Sequence, residues 1–270
     1  MAFLKVVRRR SFISEASYIF LNIALVISIL VLINLTGSPW LSIGLVILSK
    51  WRVFAVRARY WIVNLQSNLV DYIVSISFVL FLYSVYSGNS LSGQKLAIVS
   101  LLMVVYMAWL IFVRPRSKRI FIVTQAGVAL FSGAAILYSV AYALPLSITV
   151  ISMWVIGYST AKHVLASYNE ESHATILSQI WGLILAEMGW IAYHWTIAYS
   201  LLGAGSIMIP RIALTVICVG FVAYKCYDSF YHYEKIRPMD VVLPIVFTFG
   251  IIVVLPIVLS LMGTGVAIGI

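Results

Sequence analysis

Two acids stand where acids are expensive. Asp71 lies in "YWIVNLQSNLVDYIVSISFVLFLYSVY" (60–86) and Glu187 in "LILAEMGWIAYHW" (183–195), both otherwise apolar runs. A charge at the centre of a membrane helix costs at least about 2.5 kcal/mol on insertion scales, so it faces a bundle interior or a wet cavity and has a partner. Asn64, Asn68, Asp71 and Ser75 follow one another at helical spacing and share one helix face, a polar track. Two carboxylates close together in low dielectric cannot both stay ionised: they share a proton or bind a cation. Asp71 and Glu187, with Asn64, Asn68 and Ser75 along the access path, are the candidate proton- or substrate-binding residues. His194, among Trp190, Tyr193, Trp195 and Tyr199, reads as part of an aromatic belt at a membrane boundary, not as a ligand.

The elements that hold these residues follow from composition. Of 270 residues 63% are hydrophobic and 10% charged, with mean hydropathy +1.07, and the apolar residues fall in blocks of about 20, the length that crosses a hydrocarbon slab of about 30 Å. The chain is therefore expected to be an all-α, polytopic transmembrane bundle and a single integral membrane domain over 1–270, opening with a basic cytoplasmic segment, 1–16. Nine spans are expected, over 17–35, 40–49 continuing toward 56, 61–86, 96–113, 120–142, 145–165, 174–202, 206–226 and 241–262. The second is short enough to be re-entrant. With starts near Tyr60 and Ala174, Asp71 and Glu187 fall about 17 and 20 Å along their helices, at nearly one depth. No lysine or arginine is expected at that depth.

Charge sets the orientation. With the amino terminus inside, the cytoplasmic side collects Lys5, Arg8, Arg9, Arg10, Lys50, Arg52, Arg57, Arg59, Arg114, Arg116, Lys118, Arg119, Lys162, Lys225, Lys235 and Arg237. Only Lys95 and Arg211 fall outside, 16 against 2 of the 18 cations, a strong positive-inside bias. The carboxyl terminus is then outside, and the address is a cytoplasmic membrane. The +10 net charge reports this orientation and the attraction of basic loops to anionic lipid headgroups; the cations form no polar domain suited to nucleic acid.

The loops leave no room for a soluble catalytic domain. Arg9-Arg10-x-Phe12 matches a twin-arginine signal only superficially and reads as a basic anchor, since no cleavage site follows. Asn34-Leu35-Thr36 is a sequon at the membrane boundary without consequence. "FAVRARYWIVNLQ" (54–66) and "IFVRPRSKRIFIVTQ" (111–125) share a Val-Arg-x-Arg turn, a weak echo of the internal repeats of transporters that positive-inside pressure alone would also produce. "GYSTAKH" (157–163) and Gln125, Ser132 and Gly133 read as close-packing faces. "NEESH", His163, "YHYEK", Cys226 and Asp228 are metal-capable, but no pair has zinc or iron spacing. Cys218 and Cys226 form no disulfide framework. No metalloprotease, phosphate-loop or serine-elbow motif is present, no mid-span lysine could hold retinal, and Thr175 stands where a Glu-Glu-x-x-x-Arg protease needs arginine. No catalytic residue, metal or cofactor is therefore assigned.

"KWRVFAVRARYW" (50–61) and "AEMGWIAYHW" (186–195) resemble uncharacterised multi-spanning membrane proteins of candidate-phylum bacteria with reduced genomes. The resemblance implies a cytoplasmic-membrane address and no activity. Two functions remain open: a small proton- or cation-linked transporter or permease working through Asp71 and Glu187, and a non-catalytic membrane anchor or assembly subunit whose acids fix packing. A lipid-modifying enzyme is third and would have to draw on 163–173 and 226–240.

Overall fold

The computed structural model describes residues 12–53, 55, 57–86, 93–140, 143–168, 171–195, 197–200, 208–254, 256–258 and 266–268. Helices dominate: α1 (Phe12–Thr36), α2 (Trp40–Ser49), α3 (Trp61–Tyr86), α4 (Gly93–Ala108), α5 (Arg119–Ser139), α6 (Leu146–Leu165), α7 (Ala174–His194), α8 (Arg211–Tyr233) and α9 (Pro238–Phe249). One π-helical stretch, Trp109–Val113, prolongs α4, and another, Gly250–Val254, prolongs α9. The amino-terminal basic group Lys5 to Arg10 lies outside the described residues.

The chain is all-α, a multi-pass membrane protein by helix length and composition, and seven of these helices are long and apolar enough to cross. The nine expected spans each correspond to one of these α-helices among the described residues, and the two outside the seven are α2 and α6. At 10 residues, α2 is about 15 Å long, half a hydrocarbon slab. Although α6 has 20 residues, its hydroxyls, Lys162 and His163 dilute its apolarity. It is an interior helix packed between α5 and α7, so neighbours rather than lipid meet its polar groups.

Two further boundaries differ from expectation. The runs 174–202 and 206–226 do not continue as helix through their shared turn: α7 stops at His194 and α8 begins after Pro210, with β1 (Ile197–Ser200) and β2 (Met208–Pro210) between them. Together with β3 (Val266–Ile268) they form an antiparallel sheet in the order β2-β1-β3, with Tyr199 opposite Ile209 and Ala198 opposite Ala267. Proline at 210 cannot donate the amide a continuing helix needs, which ends the strand and opens α8.

Two apolar clusters hold the bundle. One joins α1 to α4 around Ile29, Leu82 and Tyr106, and the other joins α5 to α8 around Ala134, Met153 and Leu185. Where α6 meets α7, glycines let the backbones approach: a Cβ on Gly157 would lie 2.9 Å from Leu185 Cδ1 and 3.1 Å from Gly182 Cα, and one on Gly182 3.1 Å from the Trp154 carbonyl. Buried Ser159 and Thr160 return their hydroxyls to carbonyls one turn back. A Cβ on Gly133 would likewise press on Ile73 and Ile156.

The helix ends bearing Lys50, Arg114, Arg119 and Lys162 come together as one basic end of the bundle. Arg119 at the start of α5 pairs with Asp228 near the end of α8, and Lys162 near the end of α6 reaches Gln66 near the start of α3. Gln125 is bonded to His163 and caps the end of the α4 span through the carbonyls of Val113 and Arg116.

Candidate functional site

Asp71 is enclosed by cations, which corrects the expectation that none lies at its level. Lys50 Nζ sits 3.0 Å from Asp71 Oδ2 and also donates to the Asp71 carbonyl at 2.8 Å and to Ser75 Oγ at 2.9 Å. Arg114 Nε is 2.8 Å from the same carboxylate oxygen, and Trp109 Nε1 approaches the other at 3.4 Å. The Lys50 side chain is only 3% exposed and that of Asp71 13%; the Lys50 ammonium also lies 4.4 Å from the centre of the Tyr72 ring.

Local structure explains why these groups meet. α2 turns back beside α1 through Gly37, whose φ of +60° is left-handed. After about 15 Å it delivers Lys50 into the bundle instead of to a membrane face. A 3-10 turn, Trp51–Val53, takes over the backbone. From the other side, Arg114 directly follows the π-helical stretch that closes the α4 span and bends its flexible stem inward. Since the residue that ends that span reaches Asp71, the acid lies nearer the basic end than the mid-bundle level inferred from rise alone. The short length of α2, with lysine immediately after it, was the signal for Lys50; Arg114 gave none beyond its position.

The polar track is divided. Ser75 is fully buried and donates to the Asp71 carbonyl at 2.7 Å, joining the ion cluster. Asn68 bonds the Asn64 carbonyl at 2.8 Å, nearer the start of α3, and both side chains are half-buried.

Glu187 is elsewhere. Its helix packs mainly on α6, while α3 packs on α5, α4 and α6, so the structure does not bring Asp71 and Glu187 together as one site. Glu187 is exposed on α7 and makes no hydrogen bond or ion pair among the described residues. It belongs to a row, Ile176, Ile180, Leu183, Glu187, Trp190 and His194, every member of which is exposed. The alternating spacing of four and three is that of a coiled-coil seam. His194 packs edge-on to Trp190, ring centres 4.9 Å apart, as a boundary residue does.

A second polar group occupies the basic end. Arg119 donates to Asp228 at 2.7 Å, Tyr168 donates to the same oxygen at 3.0 Å, and the Arg119 guanidinium lies 3.7 Å from the Tyr168 ring centre. Tyr227 packs edge-on to Tyr168 at 4.9 Å and donates to Glu171. That bond, with the His173 amide at 2.8 Å, holds the Glu171 carboxyl below its ordinary value of 4.5; burial pushes the Tyr168 phenol up. Asp228 was noted in the sequence only as metal-capable; here it is an arginine partner, and no group of three metal-capable side chains gathers among the described residues.

A carboxylate with two cations and an indole N–H against it is a closed electrostatic lock, not an open acid. Of the two candidate acids, the one left open among the described residues is Glu187, on an outer face. No family model, curated protein or solved structure matches the chain, so the resemblance of 50–61 and 186–195 identifies no family.

Proposed function

We propose that this multi-pass membrane protein is a non-catalytic assembly subunit: a rigid bundle, locked by the Asp71 cluster, that associates side by side with a second copy of itself through α7. The observation that carries this reading is Glu187, an exposed and unpartnered carboxyl in the middle of a seam spaced for helix pairing. It lies about 20 Å from the start of α7 and about 10 Å from its end. Lipid cannot satisfy it. A twofold axis along the membrane normal sets each seam residue against its own copy, at its own depth. Two Glu187 carboxyls meeting there share a proton and satisfy each other, while Leu183 and Trp190 pack in the adjoining layers. The 16-to-2 cation distribution supports placing the basic end in the cytoplasm, against anionic headgroups of the cell membrane.

The experiment is cysteine crosslinking in bilayers, with Leu183→Cys in a chain whose Cys218 and Cys226 are serine. A symmetric dimer crosslinks at Leu183. Glu187→Gln, whose amides still bond across the axis, keeps the crosslink, and Glu187→Lys abolishes it. A chain that stays monomeric at every protein-to-lipid ratio sinks the reading.

Proton- or cation-linked transport through Asp71, Glu187, Asn68, Asn64 and Ser75 is the second reading. It is favoured by one observation: Asn64 and Asn68 are half-buried on the approach to the Asp71 cluster. It requires Asp71→Asn and Glu187→Gln to abolish flux in a chain that still inserts.

A further inference from the structure

Between α5, α6, α7, α8 and α9 lies a cavity of about 820 Å³, walled by Val123, Leu130, Leu177, Trp181, Leu214 and Phe247 among others. Its lining is almost wholly apolar, in a part of the bundle whose outer faces meet hydrocarbon. From Leu214 to Tyr227, both on its wall, α8 advances by thirteen residue steps, about 20 Å, more than the roughly 15 Å that one leaflet contributes to a hydrocarbon core of about 30 Å. A lipid chain entering from one leaflet fits along it at full length.

Polar chemistry is confined to one end. Val123 and Gly127 line the cavity, and Arg119 precedes them by one and two turns on the same face of α5. Tyr227, also on the wall, packs against Tyr168, which packs under the Arg119 guanidinium. Asp228 takes one terminal nitrogen of that guanidinium. The Arg119 side chain is 33% exposed, and Asp228 and the Tyr168 ring cover only part of it, so a cationic donor is left over beside the mouth of an apolar slot. Phosphate is the acceptor a guanidinium fork fits best, and Lys118 adjoins Arg119 in the chain.

We propose that this cavity binds one hydrocarbon chain of an anionic lipid, with the lipid phosphate on the exposed part of the Arg119 guanidinium. The site is independent of the α7 seam and of Asp71. It is selective for the headgroup because its walls are almost wholly apolar, and the charge at its polar end is cationic.

The test uses the full chain in phosphatidylcholine vesicles carrying a minor fraction of phosphatidylglycerol with brominated chains. Trp181 fluorescence is read as the difference between the wild type and Trp181→Phe. Brominated phosphatidylglycerol is expected to quench Trp181 at about one-fifth the mole fraction that brominated phosphatidylcholine requires, the preference one cation near a membrane surface confers. Gly127→Leu fills the slot without a clash, since a Cβ there has no atom within 4 Å, and removes the quenching. The double variant Arg119→Gln, Asp228→Asn, which leaves no charge unpaired, keeps quenching but loses the headgroup preference. Equal quenching by the two lipids in the wild type means ordinary bilayer contact and overturns the site. So does quenching that survives Gly127→Leu.

Discussion

Asp71 and Lys50 are worth more to each other than either is to the fold. Breaking a buried pair from one side leaves an uncompensated charge and costs about 3–5 kcal/mol, whereas replacing both partners by apolar groups of similar size can be nearly neutral. Asp71→Asn is therefore expected to destabilise the bundle by about that amount, and the double variant Lys50→Met, Asp71→Leu by less than Asp71→Asn alone, measured by reversible denaturation in mixed micelles. A loss in the double variant equal to the sum of those of Lys50→Met and Asp71→Leu alone would mean that the two side chains do not interact. Glu171 behaves differently because it is half-buried in a loop, against a tyrosine hydroxyl and a backbone amide. Its folded value is depressed, so the stability it contributes is complete above its ordinary value of 4.5 and fades as pH falls through the lower folded value. Melting temperature should fall more steeply with acidification in the wild type than in Tyr227→Phe, which removes the bond that depresses it; identical slopes would contradict this.

At the scale of elements, the tightest joint is α6 against α7, where three glycines do the spacing. A side chain on Gly157 meets the Gly182 backbone at 3.1 Å, which cannot yield as a side-chain tip can. Gly157→Val is expected to cost about 1–3 kcal/mol by overpacking, while Gly127→Ala, which points into open space, should hold or slightly raise stability; unfolding of the two variants in parallel checks the contrast. Much of this joint was legible in the sequence, since small residues in "GYSTAKH" mark a close-packing face wherever they fall in a membrane helix. Beyond the short length of α2, the level of Lys50 was not legible. Counting rise assumes that each helix starts at a membrane face, and α2 ends inside the bundle. Nor was the orientation of Glu187 around its own axis, because α7 is apolar on every side and only its packing partner decides which face is covered.

For the whole molecule, apolar content and block length were enough to identify a multi-pass helical bundle. The sheet at the end opposite the cations was not foreseeable: β1, β2 and β3 are 4, 3 and 3 residues long, too short for an alternating pattern to show, and β3 comes from a distant part of the chain. Lys50 and Asp71 are separated by only 21 residues, yet that interval governs how the chain can be built. During synthesis α1 and α2 emerge first, and until α3 follows, the lysine has no anion to lie against. The α1–α2 pair is therefore unable to settle in lipid by itself. It must wait at the membrane boundary or within the insertion machinery until α3 supplies Asp71, so that the first three helices enter the bilayer as one cooperative unit.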